Sequence, residues 1–359
     1  MWTKWLGTLL LASSALSALA QAAPPPAPAD VLALPEPLKR QFREQVLDHT
    51  RLPHARLERM VDFLFSPGGG GLGMSYHADA NHTVAEAYAT RQANCMSFTL
   101  LTVALAREAG LDAYAQQVDE TLAWRQDHNI LYRTQHVNAG VRIRERRFTV
   151  DVAWNEVITR KPPEPIRDNR LIAHYYNNRA AALLEHGALD DALRHAEIAL
   201  TLDPGYATSW SNIGVMYLRD GDGARAERAY RHALDLDADN PGALFNLVTF
   251  YQRAGNVEAA RPLQKRLDAA QARDPFHHFL LAAGFERDGN LVRAAAHYRK
   301  AIQLYDGEHR FHFGLARVYF LQGDHRRAGK ALARAGELSQ GDTRALYQAK
   351  LDTLRRQGD

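Results

Sequence analysis

Tyr217-Leu-Arg-Asp-Gly221-Asp-Gly-Ala-Arg-Ala226 returns as Tyr251-Gln-Arg-Ala-Gly255-Asn-Val-Glu-Ala-Ala260. It returns again as Phe285-Glu-Arg-Asp-Gly289-Asn-Leu-Val-Arg-Ala294 and as Tyr319-Phe-Leu-Gln-Gly323-Asp-His-Arg-Arg-Ala328. An earlier copy, Leu183-Leu-Glu-His-Gly187-Ala-Leu-Asp-Asp-Ala192, has Leu in place of the aromatic. Successive glycines of this series stand 34 residues apart, and each is followed by Ala five residues later. A further small column, Ala199, Ala233, Ala301 and Ala335, is broken only by Leu267. A fixed period of this length marks one supersecondary unit, repeated. Glycine suits the turn between two helices, where a side chain would strain the backbone. The alanines let helices approach closely, and the aromatics fill the spaces between them. No unit buries its apolar stripe alone, so neighbours must stack.

These columns and this period resemble the tetratricopeptide repeat. The resemblance predicts five helix–turn–helix units over 173–343, stacked into a right-handed superhelix with a concave groove. Residues 344–359 read as a capping helix with basic residues on its outer face. A protein or peptide partner in the groove is what the resemblance implies. His277, His278, His309 and His312 are read as packing or surface residues, since no third ligand accompanies the pair His309 and His312.

Upstream, Lys161-Pro-Pro-Glu-Pro165 discourages both helix and strand, so 161–172 reads as a linker. At the other end, residues 1–22 carry Lys4, an apolar run over Leu9–Leu19, and small residues at Ala18, Ala20 and Ala22. That is the pattern of a secretory signal peptide, and the run is short for a membrane span. Residues 23–33 follow as a stiff Pro-rich spacer. The expected mature chain is soluble and periplasmic or secreted.

Composition narrows the function classes. The 359 residues carry 44 Lys+Arg and 41 Asp+Glu, a net charge of +3 spread along the chain, which argues against nucleic acid as a partner. There is one cysteine, so neither an internal disulfide nor a Cys-based zinc site can form. Gly68–Gly73 contains G-x-G-x-x-G, but no strand precedes it and no Gly-Lys-Ser/Thr follows, so it reads as a loop. No loop-type calcium pattern is present, and no cofactor is expected. A lone thiol in an oxidising compartment is either buried and inert or kept for its reactivity.

The residues around that thiol favour reactivity. Asn94 is a good N-cap and Gly110 a good C-terminal stop, with an apolar helix between them. Cys95 falls in its first turn, where free N–H groups and the helix dipole favour a thiolate, the form that attacks acyl carbons. Gln135–Arg144 alternates as a strand with His136, Asn138 and Gly140 on one face. Arg147–Val152 alternates as the next, with Thr149 and Asp151 together. A tight turn between them would place His136 opposite Asp151. His82 and His128 are the competing bases, and Trp124 and Trp154 the candidate cleft aromatics. Arg142, Arg144, Arg146 and Arg147 make a basic, solvated hairpin.

The run Asn94-Cys-x-Ser-x-Thr through Ala-Arg-x-x-Gly-Leu-x-Ala, followed in order by His136 and Asp151, resembles the transglutaminase-like branch of the papain-like cysteine enzymes. The resemblance implies an α+β domain over 34–160, ahead of the all-α tetratricopeptide solenoid. It implies Cys95 as nucleophile, His136 as general acid/base and Asp151 as the orienting group. The Cys95 backbone N–H is one oxyanion donor, with Gln92 and Tyr76 as candidates for a second or for the cleft wall. The activity so implied is a thiol protease or amidase acting on peptide or glutaminyl amides through a thioester. The alternative is a non-catalytic scaffold with a silent first domain, suggested by Ala93, Val137 and Val152, where the family often has Gly, Trp and Pro.

Overall fold

The computed structural model describes residues 24–68, 70–118, 124–127, 130–133, 136–152, 162–339 and 341–358. The segment read as a signal peptide lies outside these residues, as do His128 and Trp154. No described helix is long and apolar enough to cross a membrane.

The first half opens with α1 (Pro28–Val31), α2 (Glu36–Gln45), a single 3-10 turn (Leu47–His49) and α3 (Pro53–Phe65). Proline sits in the first turn of each of the three α-helices, where its missing N–H costs nothing. Next come β1 (Ser75–Tyr76), α4 (Val84–Thr90), β2 (Gln92–Ala93) and α5 (Cys95–Glu108). The Asn94 side chain caps α5 by accepting from Ser97 N–H, and Gly110 ends it at φ 71°. Met96 to Ala106 are all buried, so α5 is the central helix of this half.

The strands that follow in the chain are β3 (Asp112–Val118), β4 (Trp124–Asp127), β5 (Ile130–Arg133), β6 (His136–Ile143), β7 (Arg146–Val150) and β8 (Glu164–Ile166). Four of them form an antiparallel sheet in the order β7-β6-β3-β8. Ala113, Ala115, Val137, Ala139 and Val141 share one core with Phe98, Leu101 and Leu105 of α5. Arg144 and Glu145 connect β6 to β7, and Arg144 takes φ 56° to close the two-residue turn.

Two sequence expectations need correction. The stretch 161–172 is not a free linker: Glu164–Ile166 pairs with β3, and helix α6 (Asp168–Glu185) begins at once. Pro165 is tolerated because β8 is an edge strand, where one side of the backbone has no ladder to complete. Nor does the described part of the Pro-rich spacer project freely. Val31 is fully buried in the core, Leu32 and Leu34 pack against it, and the Tyr176 hydroxyl donates to the Pro26 carbonyl.

The second half stacks helix pairs: α6 with α7 (Leu189–Leu202), α8 (Ala207–Arg219) with α9 (Gly223–Leu236), and α10 (Pro241–Arg253) with α11 (Val257–Ala272). They continue as α12 (Pro275–Arg287) with α13 (Leu291–Leu304), and α14 (His309–Leu321) with α15 (His325–Leu338). Helix α16 (Gly341–Gly358) covers the end, starting three residues before the expected 344. The first unit also starts earlier, at Asp168 rather than 173. Gly187, Gly221, Gly255, Gly289 and Gly323 all sit between φ 72° and 84°, the left-handed region. The residue after each donates its N–H to the carbonyl of the aromatic-column residue, as Asp222 does to Tyr217 at 2.9 Å. Asp222, Asn256, Asn290 and Asp324 then cap the second helices with their side chains.

The halves share a core. Leu171, Ile172, Ala173, Tyr175 and Tyr176 of α6 lie in the same apolar cluster as α5 and the sheet. Arg107, near the end of α5, forks onto both oxygens of Asp168 at 2.7 and 2.8 Å. Buried Asn81 donates to the Tyr175 carbonyl at 3.1 Å. The first helix of the array therefore completes the fold of the first half.

Candidate functional site

The Asn-Cys-x-Ser-x-Thr run explains itself residue by residue. Asn94 Oδ1 takes the Ser97 N–H at 3.0 Å, and the Asn94 carbonyl takes that of Phe98 at 2.9 Å. The N–H groups of Cys95 and Met96 are left without an acceptor among the described residues, as the start of a helix dictates. Ser97, fully buried, donates to the Ala80 carbonyl at 2.8 Å and accepts the His82 N–H at 2.6 Å, which pins the preceding loop to the helix start. The Thr99 hydroxyl lies 2.7 Å from the Cys95 carbonyl and 3.1 Å from that of Val137. It ties the turn carrying Cys95 to the strand carrying His136.

The sheet supplies the other two groups. His136 is 4% exposed, and its Nε2 lies 2.6 Å from Asp151 Oδ2. The partly buried Cys95 thiol also hydrogen-bonds this imidazole. Burial alone would lower the imidazole pKa. The hydrogen bonds from Asp151 and Cys95, with their negative charge, outweigh it and raise the value to about 9. The structure thus holds an imidazole between a thiol and a carboxylate, the arrangement a nucleophile, a base and its orienter require.

The register differs from the expected one. Ala139 pairs with Val150 and Gly140 with Thr149, so the next position after β7 faces Asn138, not His136. Asp151 therefore reaches His136 diagonally, within range for neighbours on one face. Asn138, 4% exposed, donates to the same Oδ2 at 3.1 Å. Asn138, Thr99, Ser97 and the Met96 N–H belong to the site's framework and were not assigned roles from sequence. The polar Asn138 in an apolar strand was the available signal.

Other candidates sit elsewhere. Gln92 and Tyr76 lie in the short parallel pair β1–β2, where Tyr76 faces Ala93, and Tyr76 is half exposed. These residues are on the edge leading to Cys95. The His82 imidazole lies near Glu86 and Arg179. Burial lowers its pKa, opposed by the charge of Glu86 and reinforced by that of Arg179. Arg142 of the basic hairpin pairs with Asp112 at the surface. The histidines of the array are engaged: His309 Nδ1 with the Tyr347 hydroxyl at 3.0 Å, His312 Nε2 donating to the Asp306 carbonyl at 2.9 Å, and His278 with His297 at 3.1 Å.

The comparisons with known proteins bear on the helical half. The tetratricopeptide repeat family matches residues 177–241, 217–283 and 287–351. The chain is 35% identical over 85 residues to small glutamine-rich tetratricopeptide repeat-containing protein 2 of Saccharomyces cerevisiae, covering 24% of this chain and 25% of that one. It is 42% identical over 67 residues to the Hsp70-Hsp90 organizing protein of Triticum aestivum, covering 19% and 12%. The chain thus spans a quarter or less of the length of these two relatives. Among solved structures, MamA from Desulfovibrio magneticus is 22% identical, covering 46% of this chain and 94% of that one with a TM-score of 0.27. YrrB, described as a TPR protein with an unusual peptide-binding site, is 21% identical, covering 50% and 92% with a TM-score of 0.27. Residues 177–351 are tetratricopeptide repeats.

Proposed function

We propose that this chain is a partner-binding tetratricopeptide-repeat protein whose N-terminal α+β region is a transglutaminase-like cysteine enzyme. The repeat matches and the stacked helix pairs support the binding role, with a protein or peptide as the partner in the groove. The catalytic role rests on one observation, the buried His136 held 2.6 Å from Asp151 and hydrogen-bonded to Cys95.

In this reading, Cys95 Sγ passes its proton to His136 and attacks the carbonyl carbon of a peptide or glutaminyl amide. The oxyanion meets the unbonded N–H groups at the start of α5. His136 returns the proton to the leaving amine as the C–N bond breaks and a thioester forms. Water, deprotonated by the same imidazole, then attacks the thioester; a carboxylic acid leaves and the thiol is restored. Hydrolysis is favoured over cross-linking because water is always at hand. The signal-like pattern of the first 22 residues supports action in the periplasm or outside the cell.

Cys95→Ala and His136→Ala in the mature chain, assayed with a peptide and amide library and in partner pull-downs, test both roles. Loss of turnover with partner capture intact supports the enzyme. Turnover unchanged by Cys95→Ala, or none in wild type, leaves a scaffold with a silent first region.

A further inference from the structure

We infer that Asn138 is a positioning residue that holds Asp151 ionised and aimed at His136; the inference rests on the catalytic reading above. Asp151 follows the last paired residue of β7, Val150, so the ladder no longer holds its backbone. It reaches His136 diagonally, where a second donor on the same oxygen restricts the carboxylate's rotamer. Asn138 supplies it. The register puts Asn138 opposite this position, and its Nδ2 lies 3.1 Å from the oxygen that His136 Nε2 also takes.

The cost of the arrangement marks it as purposeful. Asn138 Oδ1 is buried with no hydrogen-bond partner among the described residues. An apolar residue of similar volume would avoid that orphan in a strand whose neighbours Val137 and Ala139 are core. Two donors on one carboxylate oxygen also stabilise the charged form, which the imidazolium formed during proton transfer requires. The next row of the same face is held by a similar strap. Gln116 Nε2 reaches Thr149 Oγ1 at 3.4 Å across Gly140, where a Cβ would lie 2.6 Å from the Gln116 amide. Polar bridges on this face therefore tie β7 to β3 through Gln116 and the end of β7 to β6 through Asn138, the bridge at the site.

The test uses iodoacetamide alkylation of Cys95, the only thiol, in the mature full-length chain across pH 5–9. Asn138→Leu keeps the volume and removes the donor; alkylation at pH 6 should fall at least tenfold. Asn138→Asp gives a distinct signature. Its carboxyl, protonated at acid pH, can still donate to Asp151, and once ionised it repels it. Reactivity should stay near wild type at pH 5 and collapse toward pH 8, a profile that a packing defect would not produce. Should Asn138→Leu fail to fold, Asn138→Asp decides alone. Folded Asn138 variants with wild-type profiles overturn the inference while a slowed His136→Ala leaves the catalytic reading standing. An unaffected His136→Ala overturns both.

Discussion

His136 Nε2 and Asp151 Oδ2 lie 2.6 Å apart across two adjacent strands, with His136 4% and Asp151 9% exposed at the side chain. A buried imidazole so placed depends on the carboxylate for its charge. Asp151→Asn keeps the shape and removes the charge. His136 should then titrate well below about 9, because burial, which lowers the value, is no longer offset. Turnover should drop by roughly 10²–10⁴. Imidazole NMR shifts against pH follow the first effect, and an amidase assay the second.

The motif around Cys95 is as much mechanical as chemical. Ser97→Ala strips the partner from the Ala80 carbonyl and the His82 N–H together, both near buried positions. A loss of about 1–3 kcal/mol in unfolding free energy is expected. Urea melts check it. A change below about 0.5 kcal/mol would mean the loop is held elsewhere.

Two glycines of one repeat separate conformational from steric cost. At Gly221, φ is 84° and an added Cβ meets nothing within 4 Å, so Gly221→Ala should cost only about 1–2 kcal/mol of backbone strain. At Gly214 the Cβ would lie 2.5 Å from the buried Tyr230 ring, so Gly214→Ala must displace that ring and cost more. Thermal melts of both variants should rank them in that order.

His174 links the halves and sets a pH dependence. It is buried, its Nε2–H donates to Gln117 Oε1 at 3.1 Å, and burial lowers its pKa to about 4, with the Arg170 charge adding to the effect. The unfolded value is 6.5, so below that pH the unfolded chain gains a proton that the folded one refuses. Stability is full above pH 6.5 and falls as pH drops toward 4, by on the order of 2–3 kcal/mol for this group. His174→Gln should flatten that slope. The sign is opposite for His136, whose raised pKa gives stability below 6.5 that fades as pH climbs through about 9.

The residues 24–34 are structural. Deleting them empties the site of fully buried Val31 and takes the Pro26 acceptor from Tyr176. A loss of about 3 kcal/mol or more is expected, with the Tm of the first half falling before that of the array. Coincident unchanged transitions would show that the segment is dispensable.

By itself the chain of letters determined what is local or periodic. The 34-residue columns specify helix pairs because turn glycines, caps and small contact residues act within one unit and its neighbour. Asn94, Cys95 and Gly110 delimit α5 for the same reason, since capping is settled within a few residues. Tertiary structure decided whatever depends on distance in sequence. The Pro-rich stretches 23–33 and 161–172 read as a spacer and a linker, yet the described part of the first docks on the core and Glu164–Ile166 of the second pairs as an edge strand. Proline's local stiffness says nothing about which surface awaits it. The register that puts Asn138 opposite the Asp151 position and His136 diagonal to it is likewise set elsewhere. A two-residue turn at Arg144 and the packing of Val137, Ala139 and Val141 on α5 choose it, and alternation alone permits every even shift.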